Sequence, residues 1–599
     1  MRTIGNHPHG SRTVQYLWYL FLSAAVVALL LVCARSEKRD EETEKAFPLT
    51  FRAETEDTDV TIRCWLNGNK CIVFVPSWVE MDGMTMVFKS ETELYLDGKK
   101  LSDGMRCGEF VPGREYLLSG AVPEELRLTF LLSSVIPTLH MMTYDGAMEA
   151  VHADKSHTER AGLLLLMPDG SVRYRSEYTD KISGHGNSTW VLEKKSYNLS
   201  LHEEADLLGT GNKRERFTLI SNAIDETCLR NRIVYEFAGS VAGYDGFAPA
   251  CMNVDLYING EYAGLYLLCE KPVPDHLTLD SILFEITGYD SASERQLLKW
   301  DRGTWAEIHI PKPCTSTKRK YLEERIYQLQ KALVSDGGDS IEVGQSLCSM
   351  IDLDSWARKY LIEEVFENAD AGFYSQYAYW DEALCRFYAG PCWDYDAAMG
   401  MFSKHFTNCF LARRSQLNEI RSNPMFSLLW QKEEFRNAVV EIYRDEFAPK
   451  LDNLINVTIP ALRTELRAAT ERNCVRWFDD IPEEETETAI DNMTEYLRQH
   501  IAFLSSAWIE GVNYYTLTLD LYPGAIYLYY CIPEGENCLS LPTPVELTEE
   551  DSLGEVWYVG GGGEIFDRAS VLTEDLMLRA YNPVTPSGNR ERAEERVPS

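Results

Sequence analysis

The sequence predicts an α+β protein, strand-rich in its first half, helix-rich in its second and strand-rich again at its carboxyl end. Three observations carry that prediction. Between residues 48 and 275, short apolar runs alternate with Gly, Asp and Asn turn signals, the pattern of paired strands. From 316 to 372, and again from 424 to 510, apolar residues recur at helical spacing. After Asn513 the short β-type runs return. No solenoid period is visible, so a repeat architecture is excluded.

The first element is an uncharged stretch at 16–34, YLWYLFLSAAVVALLLVCA, preceded by Arg2 and Arg12 and followed by a run of charges. Nineteen residues at 1.5 Å rise span about 29 Å, enough to cross a hydrocarbon core of ~30 Å. Residues 1–34 therefore read as a signal anchor, an N-terminal transmembrane helix. With Val32-Cys33-Ala34 as a cleavage pattern they read instead as a signal peptide. The anchor is the favoured reading, with the bulk of the chain extracytoplasmic; cleavage would make the protein secreted. Beyond Cys33 there remain 14 of the 15 cysteines, an even number compatible with disulfides in an oxidising space. No two form a CxxC, which argues against zinc. The nearest pairs are Cys64/Cys71, Cys385/Cys392 and Cys531/Cys538; no pairing is assigned, and buried free thiols are an equal alternative.

Residues 35–47 (RSEKRDEETEKAF) form a charged linker with too little apolar content to pack. Residues 48–130 read as a small β-sandwich-like module, with strand runs at 60–64, 71–75 and 92–96. Asn67-Gly68-Asn69, Asp82-Gly83 and Asp97-Gly98 supply its turns. From 131 the chain stays strand-rich, with hairpin turns at Pro168-Asp169-Gly170 and Asn259-Gly260 and one helix near 225–240. Helices at 316–372 precede a strand pair at 377–380 and 386–388, and more amphipathic helices follow. Residues 131–512 make one unit, 513–585 a C-terminal β-module and 586–599 a polar tail.

Of the 599 residues 45% are hydrophobic and 25% charged, an ordinary globular balance with material for a sizeable core. The net charge of −35 argues against a nucleic-acid partner, since phosphate binding is driven by Lys and Arg releasing counterions.

Four constellations suggest chemistry. In Gly184-His185-Gly186-Asn187-Ser188-Thr189-Trp190 two glycines let the backbone approach a ligand, and consecutive amides can form an anion nest. The following strand places lysine near that anion, with Lys195, Tyr197, Leu199 and Leu201 on one face and Lys194 opposite. Asp225 then reads as the cap of a helix carrying Glu236, which could orient a strand lysine. Asp370 lies in a loop, where a carboxylate can accept a hydroxyl proton. In Trp393-Asp394-Tyr395-Asp396 two carboxylates two residues apart suit a hard cation such as Mg²⁺, beside the flat face of Trp393.

Taken in order, GHGNSTW, KKSYNLSL, ISNAIDETCLRNRIVYEFA, VDLYINGEYAGLYLLCEKP, NAD and GPCWDYDAAMG resemble the spore coat protein H (CotH) kinase family over about residues 130–510. The resemblance implies an atypical, two-lobed protein-kinase-like fold flanked here by all-β modules. It implies ATP and Mg²⁺ as cofactors, and phosphorylation of Ser or Thr on a protein partner of the spore coat or cell surface. Carried onto this chain, Gly184, Gly186, Asn187 and Ser188 would lie near the phosphates. Lys194 or Lys195 would bind them, paired with Glu236. Residues 265–271 would connect the lobes, Asp370 would be the catalytic aspartate, Asp394 and Asp396 would hold Mg²⁺, and Trp393 would stack on adenine.

The chain also departs from the family pattern. His185 stands where the family loop commonly has Arg, and Ser375 and Gln376 stand where a kinase would offer a metal-binding Asn. Those departures motivate a rival: a non-catalytic surface or coat-assembly protein keeping the fold for binding. A carbohydrate-active hydrolase using two carboxylates ranks last, because it gives no reason for the glycine loop and lysine. At the C-terminus, Ile565-Phe566-Asp567 and residues 571–580 look like the last strands of a small β-repeat common on bacterial surface proteins.

Overall fold

The computed structural model describes residues 47–582, apart from 56, 90–91, 123–124, 275, 289–296, 302–303, 335–346, 372–373, 402–408, 411–423, 479–482, 523–525, 549–553 and 561–562. The apolar stretch 16–34, nearly all of the charged linker and the polar tail lie outside the described residues. Among the described residues no helix is long and apolar enough to cross a membrane. The protein is a mixed α+β structure, as the sequence patterning predicts.

The chain begins with two sheets. One has three strands, Asp59–Arg63, Thr50–Glu54 and Met84–Val87; the other has six, built around the parallel pair Lys70–Val75 and Leu126–Leu132. Alternation puts Phe51 and Ala53 inward between exposed Arg52 and Glu54, and Ile62 inward between Thr61 and Arg63. The shared core does not end with these sheets. It takes in Leu164, Leu166, Tyr257 and Tyr262 of the next sheet, with Phe74 stacked on Tyr262 at 4.4 Å between centroids.

That next sheet closes into a barrel. Thr138–Thr143 pairs with Cys251–Ile258 in parallel and with Thr158–Leu166 antiparallel. Glu261–Glu270, Arg214–Ile220, Ser196–Ala205 and Asp180–His185 complete the ring, and Val172–Arg175 adds a strand outside it. Residues of alternate parity, among them Leu139, Met141, Leu163, Leu165, Tyr197, Leu199, Phe217, Leu219, Val254 and Leu256, form the barrel's own core. Outward residues of the same strands are also buried, Leu164 and Leu166 against the first sheets and Leu265, Leu267 and Cys269 against helices. Burial on both faces explains why 163–166 and 265–269 are continuously apolar in the sequence.

At Lys271 the chain leaves the barrel and enters a five-stranded antiparallel sheet in the order Leu297–Asp301, Thr304–Ile310, Ile282–Thr287, Gln376–Asp381, Arg386–Ala389. The helices Arg230–Ser240, Ser316–Val334, Leu353–Val365 and Glu483–Trp508 pack with this sheet in one large core. Asp352 caps Leu353–Val365 by accepting the Ser355 amide at 2.9 Å. From Glu433 to Trp477 the backbone stays helical through two π-helical turns, Tyr443–Phe447 and Leu454–Thr458. Each turn is followed within two residues by a proline, Pro449 or Pro460, whose missing N–H the widened turn accommodates.

This long helix ties the parts together through Arg472, whose side chain is 2% exposed. Its guanidinium donates to the Val75 carbonyl of the first sheets at 3.0 Å, to Asp255 of the barrel at 3.0 Å and to the Tyr257 hydroxyl at 2.8 Å. It also lies over the Tyr262 ring, 4.5 Å from the centroid. The carboxyl-terminal sheet pairs Tyr514–Tyr522 with Ile526–Pro533 antiparallel and with Leu576–Arg579 in parallel, around a separate core that includes Leu517, Leu519, Trp557 and Leu578.

Candidate functional site

The glycine turn ends a barrel strand. Gly184 lies in Asp180–His185, where a Cβ would come within 2.5 Å of the Trp190 ring, so only glycine fits. Gly186 has φ +95°, a conformation that favours glycine. Ser188–Val191 follows as a 3₁₀ turn, which leaves Asn187 and Ser188 exposed at the tip. Lys155 fastens this loop from below, donating to the Gly186 carbonyl at 2.6 Å and to Asn187 Oδ1 at 3.2 Å.

The two lysines after the loop are engaged elsewhere. Lys194 is 4% exposed and donates to the carbonyls of Ser221 (2.6 Å) and Leu265 (2.7 Å). Lys195 donates to the carbonyls of Trp190 and Leu192, both at 2.8 Å, with its ammonium over the Trp190 ring. Both precede the strand Ser196–Ala205, whose Tyr197, Leu199 and Leu201 turn into the barrel core. Glu236 does not reach either lysine; it pairs at 2.8 Å with Arg232, four residues earlier on its own helix. The expected Lys–Glu236 pair is thus replaced by an i,i+4 pair, because that helix turns its buried face elsewhere.

A third lysine occupies the loop's other flank. Lys271 follows directly on the barrel strand Glu261–Glu270, so residues 265–270 belong to the barrel and the crossing begins only at Lys271. Its ammonium donates to Asn198 Oδ1, while Asn198 Nδ2 donates to the Gly184 carbonyl at 2.8 Å. Burial pushes the Lys271 ammonium down to about 8, against a partly opposing charge from Cys269. His185, between Gly184 and Gly186, is held neutral well below its ordinary range by burial, then by the charges of Lys271 and Lys155.

Facing the loop is the acidic segment. Trp393 is 6% exposed, stacked on Tyr235 at 5.9 Å and edge-on to His185 at 6.1 Å. It is therefore packed against these two rings, and its burial among the described residues runs against the adenine-stacking role expected for it. Asp394 adopts φ +67°, a left-handed conformation that Asp tolerates. Its amide donates to the Tyr235 hydroxyl (3.1 Å), and its Oδ2 accepts from Ser375 Oγ (2.9 Å). Burial raises the Asp394 carboxyl; the Ser375 hydrogen bond opposes this and the charge of Glu285 adds to it. Asp396 is raised well above the carboxylate range, first by burial and then by the charges of Asp394, Asp370 and Asp225. Asp370 sits in the loop after Leu353–Val365, its amide donating to Asn368 Oδ1 at 3.1 Å.

A buried polar network holds this side in place. The Tyr395 amide donates to Asn231 Oδ1 (2.8 Å), and Asn231 Nδ2 donates to Asn222 Oδ1 (3.2 Å). The Tyr395 hydroxyl and the Lys359 ammonium both donate to Glu363, whose other oxygen accepts Asn368 Nδ2 at 2.9 Å. Asp225 pairs with Arg230, and Arg230 Nε donates to the Ala398 carbonyl at 2.9 Å. Asp225 is not the N-cap, which is Leu229, yet its carboxylate still accepts the Arg230 amide at 3.0 Å.

Among the described residues no three His, Cys, Asp or Glu side chains come together closely enough to hold a metal unaided. A two-carboxylate site suits Mg²⁺, which keeps several waters and relies on substrate phosphates for the rest of its shell. Asp394 and Asp396 fit that role, since their like-charge repulsion is what a divalent cation would relieve. Sequence reasoning placed Lys271 only at the end of the connection between lobes and missed Asn198, Asn231, Lys359 and Glu363.

Comparison with known proteins adds one match. A model of the family described as CotH kinase protein matches residues 182–504, just over half of the chain. No curated protein matches it.

Proposed function

Since this chain belongs to the CotH kinase protein family, we propose that it is an atypical protein kinase transferring the γ-phosphoryl group of ATP to Ser or Thr of a protein partner. The observation that supports this best is the meeting of the glycine turn with the acidic segment. The glycine turn and Lys271 on the barrel side stand against Asp394, Asp396 and Asp370 on the helical side, with His185 touching Trp393 across the join. On this reading the barrel and the sheet-and-helix body correspond to the two lobes of a kinase.

ATP supplies the phosphoryl group and Mg²⁺ the charge that neutralises it. Asp394 and Asp396 would hold the metal, and Ser375 fixes the Asp394 rotamer. Loop amides from Gly186 to Ser188 and the Lys271 ammonium would bind phosphate oxygens, the Gly184 amide being bonded to the Lys155 carbonyl at 3.0 Å. Asp370, on a loop tied to the Glu363 network through Asn368, would orient or deprotonate the acceptor hydroxyl. Phosphoryl transfer asks for positioning and charge neutralisation rather than covalent chemistry, and this set supplies both.

The rival is a binding protein that keeps the fold without turnover. It is favoured by Lys194 and Lys195, both committed to backbone carbonyls. Incubating the full chain with γ-labelled ATP, Mg²⁺ and a broad set of acceptor proteins separates the two. Label on Ser or Thr supports the kinase; nucleotide-dependent thermal stabilisation without label supports the binding protein. The N-terminal segment would place this activity at a membrane, facing away from the cytoplasm.

A further inference from the structure

Two cysteines that are far from neighbouring in sequence oppose each other in the barrel. Cys251 opens the strand Cys251–Ile258, Cys269 is the penultimate residue of Glu261–Glu270, and the antiparallel register pairs them directly. The type of pair follows from one hydrogen bond. The Glu270 amide donates to the Ala250 carbonyl at 3.0 Å, so the ladder bonds flank the two cysteines instead of joining them. In such a non-hydrogen-bonded pair the Cα atoms are about 4.5 Å apart and the side chains lie close together on one face. A disulfide needs a Cα separation of about 4.4–6.8 Å, a range that includes pairs of this type. Both thiols are free in this structure, with the Cys269 thiol donating to the Leu267 carbonyl at 3.5 Å, so forming the bond requires that side chain to turn.

Their surroundings agree. Both pack on the helix-covered face of the barrel, Cys269 wholly buried and Cys251 partly exposed. Tyr235, which carries Trp393 and the Asp394 amide, feels both sulfurs. The pair thus lies beside Tyr235, which backs Trp393, and two residues from Lys271.

We propose that Cys251 and Cys269 form a cross-strand disulfide that staples the exit of the barrel beside Tyr235. The bond forms by thiol–disulfide exchange with a small disulfide oxidant such as glutathione disulfide. The thiolate of partly exposed Cys251 attacks one oxidant sulfur and expels a glutathione thiolate. Cys269, losing its proton, then attacks the Cys251 sulfur of the mixed disulfide and expels the second glutathione. Two protein thiols are oxidised and one glutathione disulfide is reduced to two thiols. Burial pushes the Cys251 thiol up to about 12 and the Cys269 thiol well above its ordinary range, so thiolate is scarce in the folded protein. The bond is accordingly one made during folding in an oxidising space, not a fast switch. The inference does not depend on phosphoryl transfer.

The test is to refold the reduced full chain in a glutathione redox buffer, block free thiols by alkylation and map the peptides without reduction. The expected result is one linked pair of peptides carrying 251 and 269, two hydrogens lighter than the sum of the free ones. Adding reductant should lower the unfolding midpoint of the wild type by several degrees and leave Cys251→Ser unchanged. Finding both residues alkylated in correctly refolded protein, or either one linked to a different cysteine, overturns the proposal. The wild-type map decides the matter even if Cys251→Ser fails to fold.

Discussion

The imidazole of His185 and the indole of Trp393 meet edge to face, with centroids 6.1 Å apart and planes at 75°. The contact joins the glycine turn to the acidic segment, and Tyr235 backs it at 5.9 Å and 14° from parallel with Trp393. Three packed rings join the barrel's turn to the acidic segment. An edge-to-face contact of this kind contributes about 0.5–1.5 kcal/mol beyond area burial.

His185 should therefore remain uncharged well below its ordinary 6.5, because burial and two nearby ammonium groups oppose its protonation. An NMR titration of the imidazole resonances checks this. A midpoint at or above 6.5 would show that the ring is solvated.

Asp394→Asn should reduce phosphoryl transfer by about 100-fold or more, the scale of losing one electrostatic stabiliser at a transferring group. Stability should hold or rise, since the change removes a charge that crowds Asp396. Transfer assays read alongside thermal melts test both halves. A fully active variant would remove Asp394 from the site.

Lys271→Met should weaken ATP·Mg²⁺ binding about tenfold, the lower end of a charge-assisted hydrogen bond. Lys194→Met should leave nucleotide affinity unchanged, because its ammonium is committed to the Ser221 and Leu265 carbonyls. Isothermal titration of the two variants distinguishes the lysines. The opposite pattern would restore Lys194 as the phosphate ligand.

Lys194 should instead be visible in the pH dependence of stability. Burial lowers its ammonium from 10.5 to about 8. Between those values the unfolded chain binds the proton that the folded chain has lost, so this group's contribution to stability rises with pH. Below about 8 the fold bears the full cost of burying the charge. Subtracting the unfolding free energy of Lys194→Met from that of wild type cancels the other titrating groups. That difference should grow from pH 8 to 10.5; a flat one would contradict the assignment.

Arg472→Leu should destabilise the protein by roughly 3–5 kcal/mol, the usual effect of leaving a buried charge partner uncompensated. Asp255 would lose a bond of 3.0 Å, and the first sheets would lose their tie through the Val75 carbonyl. Denaturant unfolding should show the loss, with residues 50–132 becoming the first to exchange amide hydrogens. Unchanged stability would mean that the parts are held by apolar contact alone.

Much of the framework was legible because local chemistry dictates it. Alternation and Asx-Gly turns marked strands such as Asp59–Arg63 and Lys70–Val75 and the hairpin at Asn259-Gly260. Helical spacing marked Ser316–Val334 and Glu483–Trp508. Closure of the barrel was not legible, because Thr138–Thr143 finds Cys251–Ile258 more than a hundred residues away. Nor was the continuity of the first core with Tyr257 and Tyr262.

The same division runs through the site. The order of motifs by itself determined the family and named the glycine turn and the acidic segment, since those depend on residue type and spacing along the chain. Only the tertiary structure decided which lysine flanks the turn. Lys194 and Lys195 are adjacent to it in sequence, but the start of a barrel strand turns them onto backbone carbonyls. Lys271 arrives from the far end of another strand and meets Asn198. A lysine's reach is a property of the chain, but what it reaches depends on where long-range pairing places its backbone.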